Sequence, residues 1–127
     1  MRTFRILPML LLFALPLFAQ GGKAEPKRIA FADGQTSTTV TGTLRTSQEM
    51  DFVFAGRKGQ RITVRNPKHT AFDFRIFDPD TGFDTEFDSS PTLSFELEAD
   101  GDHLFIVRRK VGRGTRSERF SITVTIK

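Results

Sequence analysis

From Arg28 onward the apolar side chains recur at every second position, the repeat of a β-strand and not of a helix. The closing segment is the clearest case, with Phe120, Ile122, Val124 and Ile126 set against Ser121, Thr123, Thr125 and Lys127. Leu93, Phe95 and Leu97 alternate with Ser94, Glu96 and Glu98, and Ile62 and Val64 alternate with Arg61, Thr63 and Arg65. Met50, Phe52 and Phe54 share a face. So do Val40, Gly42 and Leu44, in a threonine-rich run whose β-branched side chains suit a pleated surface. Each run has one face to bury and one to leave in water.

Turn-forming residues separate these runs at short intervals: Asp33-Gly34, Lys58-Gly59, Asn66-Pro67, Asp78-Pro79-Asp80-Thr81-Gly82, Ser90-Pro91 and Asp100-Gly101-Asp102. Many short half-apolar strands bury their faces by packing two sheets together. The sequence therefore predicts an all-β fold, an antiparallel β-sandwich or jelly roll of about eight strands. Phe72 to Phe77 and Leu104 to Val107 carry apolar residues on both faces, and are expected at the centre of a sheet or under a loop.

The first residues follow a different pattern. Arg2 and Arg5, the apolar run from Ile6 to Phe18 and the small-residue end at Ala19 have the layout of a secretory signal. The run falls short of the roughly 20 residues needed to span a bilayer and contains Pro8 and Pro16, so no stable membrane insertion is expected. The expected division is a cleaved signal peptide over residues 1–19, a flexible leader over 20–27 and a β-sandwich domain over 28–127. Such a protein is periplasmic or secreted.

The chain has no cysteine, which removes a disulfide framework and a thiolate metal site alike. It has 14 Phe but no Trp and no Tyr. Phe brings large buried area with no hydroxyl to satisfy, so it suits a core held by packing alone. The absence of Tyr and Trp leaves arginine as the side chain to anchor a partner.

Charge changes sign by segment: residues 20–72 carry nine basic and four acidic groups, 73–102 carry one and ten, and 103–127 carry seven and one. Separate acidic and basic surfaces steer partners rather than determine folds. The densest stretch is Arg108-Arg109-Lys110-Val111-Gly112-Arg113-Gly114-Thr115-Arg116, between the last two strands. It reads either as a protruding cationic loop that sets a guanidinium against a carboxylate or phosphate, or as a solvated hairpin connection. Nucleic acid is not the expected partner, because the loop lacks aromatic residues for base stacking.

Catalytic and metal chemistry find little support. His69 and His103 lie outside any zinc-type spacing, and Ser89 and Ser90 lack a Gly-x-Ser-x-Gly setting. Asp78, Asp80, Asp84, Glu86 and Asp88 invite a calcium reading. Gly82, however, comes one position early for an EF-hand loop, and Ser89 stands where its bidentate Glu belongs. The acids read as a turn and a solvated face. No enzymatic activity, metal or cofactor is expected.

The series Phe31-x-x-Gly34, Val40-x-Gly42, Asp51-Phe52, Ala55-x-x-x-Gly59-Gln60, Asp78-Pro79-x-x-Gly82 and Ala99-Asp100-Gly101-Asp102-His103 resembles bacterial prepeptidase C-terminal (PPC-like) β-sandwich domains. With an arginine-rich segment after the Gly-Asp strand, the chain also resembles the periplasmic inhibitors of goose-type lysozyme. Positions that are usually Tyr in such domains are Phe52, His103 and Phe120 here, and the basic loop is shorter. The resemblance implies that a loop arginine enters the enzyme's acidic groove and pairs with its essential carboxylate. Arg109, Arg113 and Arg116 are the positions open to this role, with Arg113 between two glycines the first choice. The expected function is thus a non-enzymatic binding domain that inhibits goose-type lysozyme through the basic loop; the alternative is a PPC-like accessory module that binds polysaccharide or another cell-envelope protein through a sheet face.

Overall fold

The computed structural model describes residues 25–112 and 116–127. The expected signal peptide at residues 1–19 and Arg113 lie outside the described residues. Among those described, the strands are β1 (Lys27–Arg28), β2 (Ser37–Leu44), β3 (Glu49–Gly56), β4 (Arg61–Arg65), β5 (Phe72–Phe77), β6 (Thr92–Glu96), β7 (Gly101–Arg109) and β8 (Glu118–Ile126). They form two four-stranded sheets, sheet A in the order β1-β3-β7-β5 and sheet B in the order β2-β8-β4-β6. The all-β sandwich of eight strands is the observed architecture.

Register follows the alternation. In sheet B, Ile62 stands opposite Ile126 and Val64 opposite Val124; in sheet A, Phe52 stands opposite Phe105 and Phe74 opposite Val107. The inward faces meet in one core, where Phe54, Phe72, Phe74, Phe105 and Phe120 are fully buried. Phe120 of sheet B stitches the layers together, packing edge-on against Phe72 at 5.5 Å and Phe52 at 6.3 Å, both from sheet A. Each such pair contributes about 0.5–1.5 kcal/mol beyond its buried area. Gly42 faces Phe120 in the register, and a Cβ there would stand 2.7 Å from the Phe120 ring and 2.8 Å from the Met50 sulfur. The ring lies on the bare backbone of β2.

Both doubly apolar strands are enclosed, in the two ways expected. β7 lies inside sheet A, between β3 and β5. β5 ends the sheet, but residues 84–88 run along its outer edge: Phe74 N–H donates to Asp88 O at 3.0 Å, Asp88 N–H to Phe74 O at 2.7 Å and Thr85 N–H to Ile76 O at 3.0 Å. Phe83 at the start of this segment packs on Phe95 of β6 at 5.2 Å and closes that flank of the sandwich. One pairing departs from antiparallel, since β1 joins β3 in parallel with Lys27 opposite Phe52 and Arg28 opposite Val53. Two polar residues show no alternation, so β1 has no sequence signature.

Candidate functional site

Three connections meet at one end of the sandwich. The β2–β3 turn holds the end of β7, because Ser47 N–H donates to Arg109 O and Arg109 N–H to Gln48 O, each at 2.9 Å. The β4–β5 connection joins them through Lys110 N–H to Ala71 O at 2.9 Å. The β2–β3 turn is itself closed by Gln48, whose Oε1 accepts from Arg45 N–H at 2.8 Å and whose N–H donates to Arg45 O at 3.0 Å. Arg57 and Gln60 repeat this arrangement at the opposite end. The third position is left-handed in both turns, at φ 66 for Ser47 and φ 93 for Gly59.

The basic segment begins with three cations that are each held. Arg108 forks onto Asp73, Nε to Oδ1 at 3.0 Å and a terminal nitrogen to Oδ2 at 2.6 Å, with its guanidinium 3.8 Å above the Phe87 ring. The hydrogen bonds from Arg108 to Asp73 raise the arginine's pKa above its ordinary value. Arg109 turns inward and is only 8% exposed. It donates to Leu44 O at 3.3 Å and Arg116 O at 3.2 Å, and lies 3.5 Å from a Glu118 carboxylate oxygen. Lys110 donates from Nζ to His69 O at 3.2 Å.

Val111 is 81% exposed, and Arg116 on the returning limb is exposed as well. Of the sequence-predicted site residues, Arg109 is therefore placed at the root of the loop, where it ties the two limbs, and Arg116 at its rim; Arg113 lies outside the described residues. A cleft of about 440 Å³ opens beside the root, lined in part by Ser47, Glu49, Asp73 and Arg108. Asp73, Phe87 and Glu118 are the supporting residues that sequence reasoning missed. Asp73 and Arg75 at alternate positions of an otherwise apolar strand were the available signal.

Three of the five acids in residues 78–88 are engaged within the fold. Asp78 accepts from Asp80 N–H at 2.9 Å and from the Thr81 hydroxyl at 3.0 Å, and the Asp80 bond is the first cause of its lowered pKa. Asp84 is forked onto Arg75, with Nε to Oδ1 at 2.8 Å, and this holds its pKa below the ordinary carboxylate value. Asp88 accepts from Ser90 N–H at 2.8 Å. Among the described residues no group of three or more His, Asp or Glu is placed to hold a metal ion. His103 is buried, stacked on Phe54 at 5.2 Å and donating from Nδ1 to Gly101 O at 3.0 Å.

No protein-family model and no curated protein matches this chain. Solved structures do. The PliG of Aeromonas hydrophila, a periplasmic lysozyme inhibitor of g-type lysozyme, superposes with a TM-score of 0.69 at 20% identity, over 80% of this chain and 96% of that one. The chain has the PliG fold. The PliG of Salmonella Typhimurium gives 0.68 at 21% identity, over 83% of this chain and all of the other. The pre-peptidase C-terminal domain of a Bacillus anthracis collagenase gives 0.51 at 14% identity, over 85% of this chain. The PliG sandwich is thus the framework, shared with a PPC domain, on which the basic loop is mounted. Among the described residues no helix is long and apolar enough to cross a membrane.

Proposed function

We propose that this protein is a non-enzymatic inhibitor of goose-type lysozyme, exported to the periplasm or beyond after removal of residues 1–19, and that it acts through the basic segment 108–116. The observation that carries the reading is the cross-braced root of that segment. Arg108 and Lys110 are fixed to the body, and Arg109 ties the outgoing limb to Arg116 on the returning one. A loop held at both limbs loses less freedom on binding than a free one. Arg113 and Arg116 are then the side chains to enter an acidic groove, and Arg109 the one that holds the loop for them. A guanidinium seated on the catalytic acid of a glycosidase blocks proton donation to the leaving oxygen and excludes the sugar chain.

The PliG likeness supports the choice of partner, since the two PliG proteins with this fold are inhibitors of g-type lysozyme. Calorimetric titration of the purified protein into a goose-type lysozyme tests the placement. Arg113→Ala or Arg116→Ala should weaken the complex by about 2–5 kcal/mol where the guanidinium is buried against a carboxylate, and by far less at a rim. Undiminished affinity in both variants, and in the pair combined, would remove the loop from the interface.

A further inference from the structure

Among the described residues the two sheets have four edges, and three of them are guarded. β1 is two residues long, both of them cations. β5 is covered by residues 84–88. β6 is five residues long, with Pro91 just before it and Glu96 at its end. Short strands, charges, proline and covering segments are the devices that keep a sheet edge from pairing with another chain. β2 has none of them. Ser37–Leu44 run eight residues without a charge or a proline, and their register with β8 is unbroken from Ser37 opposite Thr125 to Leu44 opposite Glu118.

The paired side of β2 identifies its free side. Ile126 N–H donates to Thr36 O at 2.8 Å, so Thr36 is turned toward β8, and in an antiparallel ladder alternate residues face the same partner. Thr38, Val40, Gly42 and Leu44 therefore turn their backbone groups to β8, and Ser37, Thr39, Thr41 and Thr43 turn theirs outward. Among the described residues none of these four has a backbone hydrogen bond on that outer side.

Two such edges are complementary to each other. With Thr41 on a two-fold axis, each Thr41 exchanges both backbone bonds with its copy, Thr39 pairs with Thr43, and Val40 stands opposite Gly42, where no side chain competes for room. No like charges meet across the seam, because Gly34 to Leu44 carry none. A foreign strand would have to supply a matching uncharged run; a second copy always brings one, and pairing about a two-fold axis closes at the dimer.

We propose that β2 pairs with β2 of a second copy of this chain, antiparallel about Thr41, and joins the two B sheets into one of eight strands. The proposal does not depend on lysozyme inhibition. It is compatible with it, since Leu44, whose carbonyl receives Arg109, ends β2 beside the basic segment, and antiparallel pairing sends the two segments to opposite ends of the dimer. One strand edge from each copy is small beside the roughly 1,200–2,000 Å² of a stable interface, so the dimer is weak and concentration-dependent.

Sedimentation equilibrium of the purified protein tests this. The expected result is a weight-average mass that rises from monomer toward dimer between about 10 and 500 μM. Thr41→Lys sets two like charges on the axis and should remain monomeric over that range, with an unchanged thermal midpoint because the Thr41 side chain is exposed. The chain has no cysteine, so Thr41→Cys should cross-link to its own copy under mild oxidation, while Ser121→Cys, exposed opposite Thr41 on the next strand inward, should not. A wild-type protein that stays monomeric throughout would overturn the proposal and leave the edge to an extended segment of another protein. A dimer that survives Thr41→Lys, equal cross-linking of the two cysteine variants, or assembly beyond the dimer would each overturn it as well.

Discussion

Arg109 donates a hydrogen bond to the carbonyl of Arg116 at 3.2 Å, so a buried cation on the first limb of the basic segment fixes the backbone of the second. The same guanidinium reaches Leu44 O at 3.3 Å and lies 5.8 Å from the centre of the Phe72 ring. Arg109→Ala should therefore cost about 2 kcal/mol of folding stability, by loss of these bonds and of the packing on Phe72. Urea unfolding measures it, with Arg116→Ala as the comparison that leaves stability within about 0.5 kcal/mol. Equal stability of the two variants would show that Arg109 does not brace the loop.

The paired turns share one geometry, so opposite substitutions in them should have opposite effects. Ser47 occupies the left-handed position that Gly59 fills in the other turn. Ser47→Gly should gain about 0.5 kcal/mol, since relief of the left-handed penalty slightly exceeds the added freedom of the unfolded chain. Gly59→Ala should lose about 1 kcal/mol for the reverse reason. Thermal midpoints moving in the same direction for both would contradict the shared geometry.

At Gly42 the obstacle is a neighbour and not the backbone. The Cβ of an alanine would press on the buried Phe120 ring at 2.7 Å, and that ring is held by Phe52 and Phe72. Gly42→Ala should destabilise by about 1–3 kcal/mol through overpacking. Gly42→Ala combined with Phe120→Leu should recover part of the loss, and strictly additive costs would argue that the two do not touch.

Acid should loosen the flank formed by residues 78–88. The folded protein lowers the pKa of Asp84 through its bonds with Arg75, and that of Asp78 through the Asp80 and Thr81 bonds, each from an ordinary value of 3.8. A lowered folded-state pKa means that stability is present in full above the unfolded value and is lost as the pH falls below it. Stability should thus be level near neutrality and decline from about pH 5 downward. In Asp84→Asn the decline should be shallower, as read from midpoints between pH 7 and pH 3. An unchanged slope would exclude the Arg75–Asp84 pair as a source.

The sandwich was legible because its faces are written in the period of two. Phe120 to Ile126 and Leu93 to Leu97 announce both their strand and its buried side, and the mixed apolarity of Phe72 to Phe77 announced an enclosed strand. What covers that strand was not legible, because residues 84–88 pair with it through backbone atoms and through Asp84, whose partner Arg75 is nine residues away. The basic loop stood out as a run of charge. Its bracing did not, since Asp73, Leu44 and Phe72 are brought to it by the register of two sheets and not by sequence proximity. Composition likewise presents Arg108, Arg109 and Arg116 as equivalent cations, and only packing separates a clamped, a buried and an exposed one.

Inhibition of a goose-type lysozyme is the property to measure. The measurement is the rate at which a goose-type lysozyme clears a peptidoglycan suspension as purified protein is added. The predicted result is loss of activity at close to one equivalent of the wild-type protein, abolished in the Arg113→Ala/Arg116→Ala pair at equal stability. Full lysozyme activity in the presence of a micromolar excess of the folded wild-type protein would contradict it.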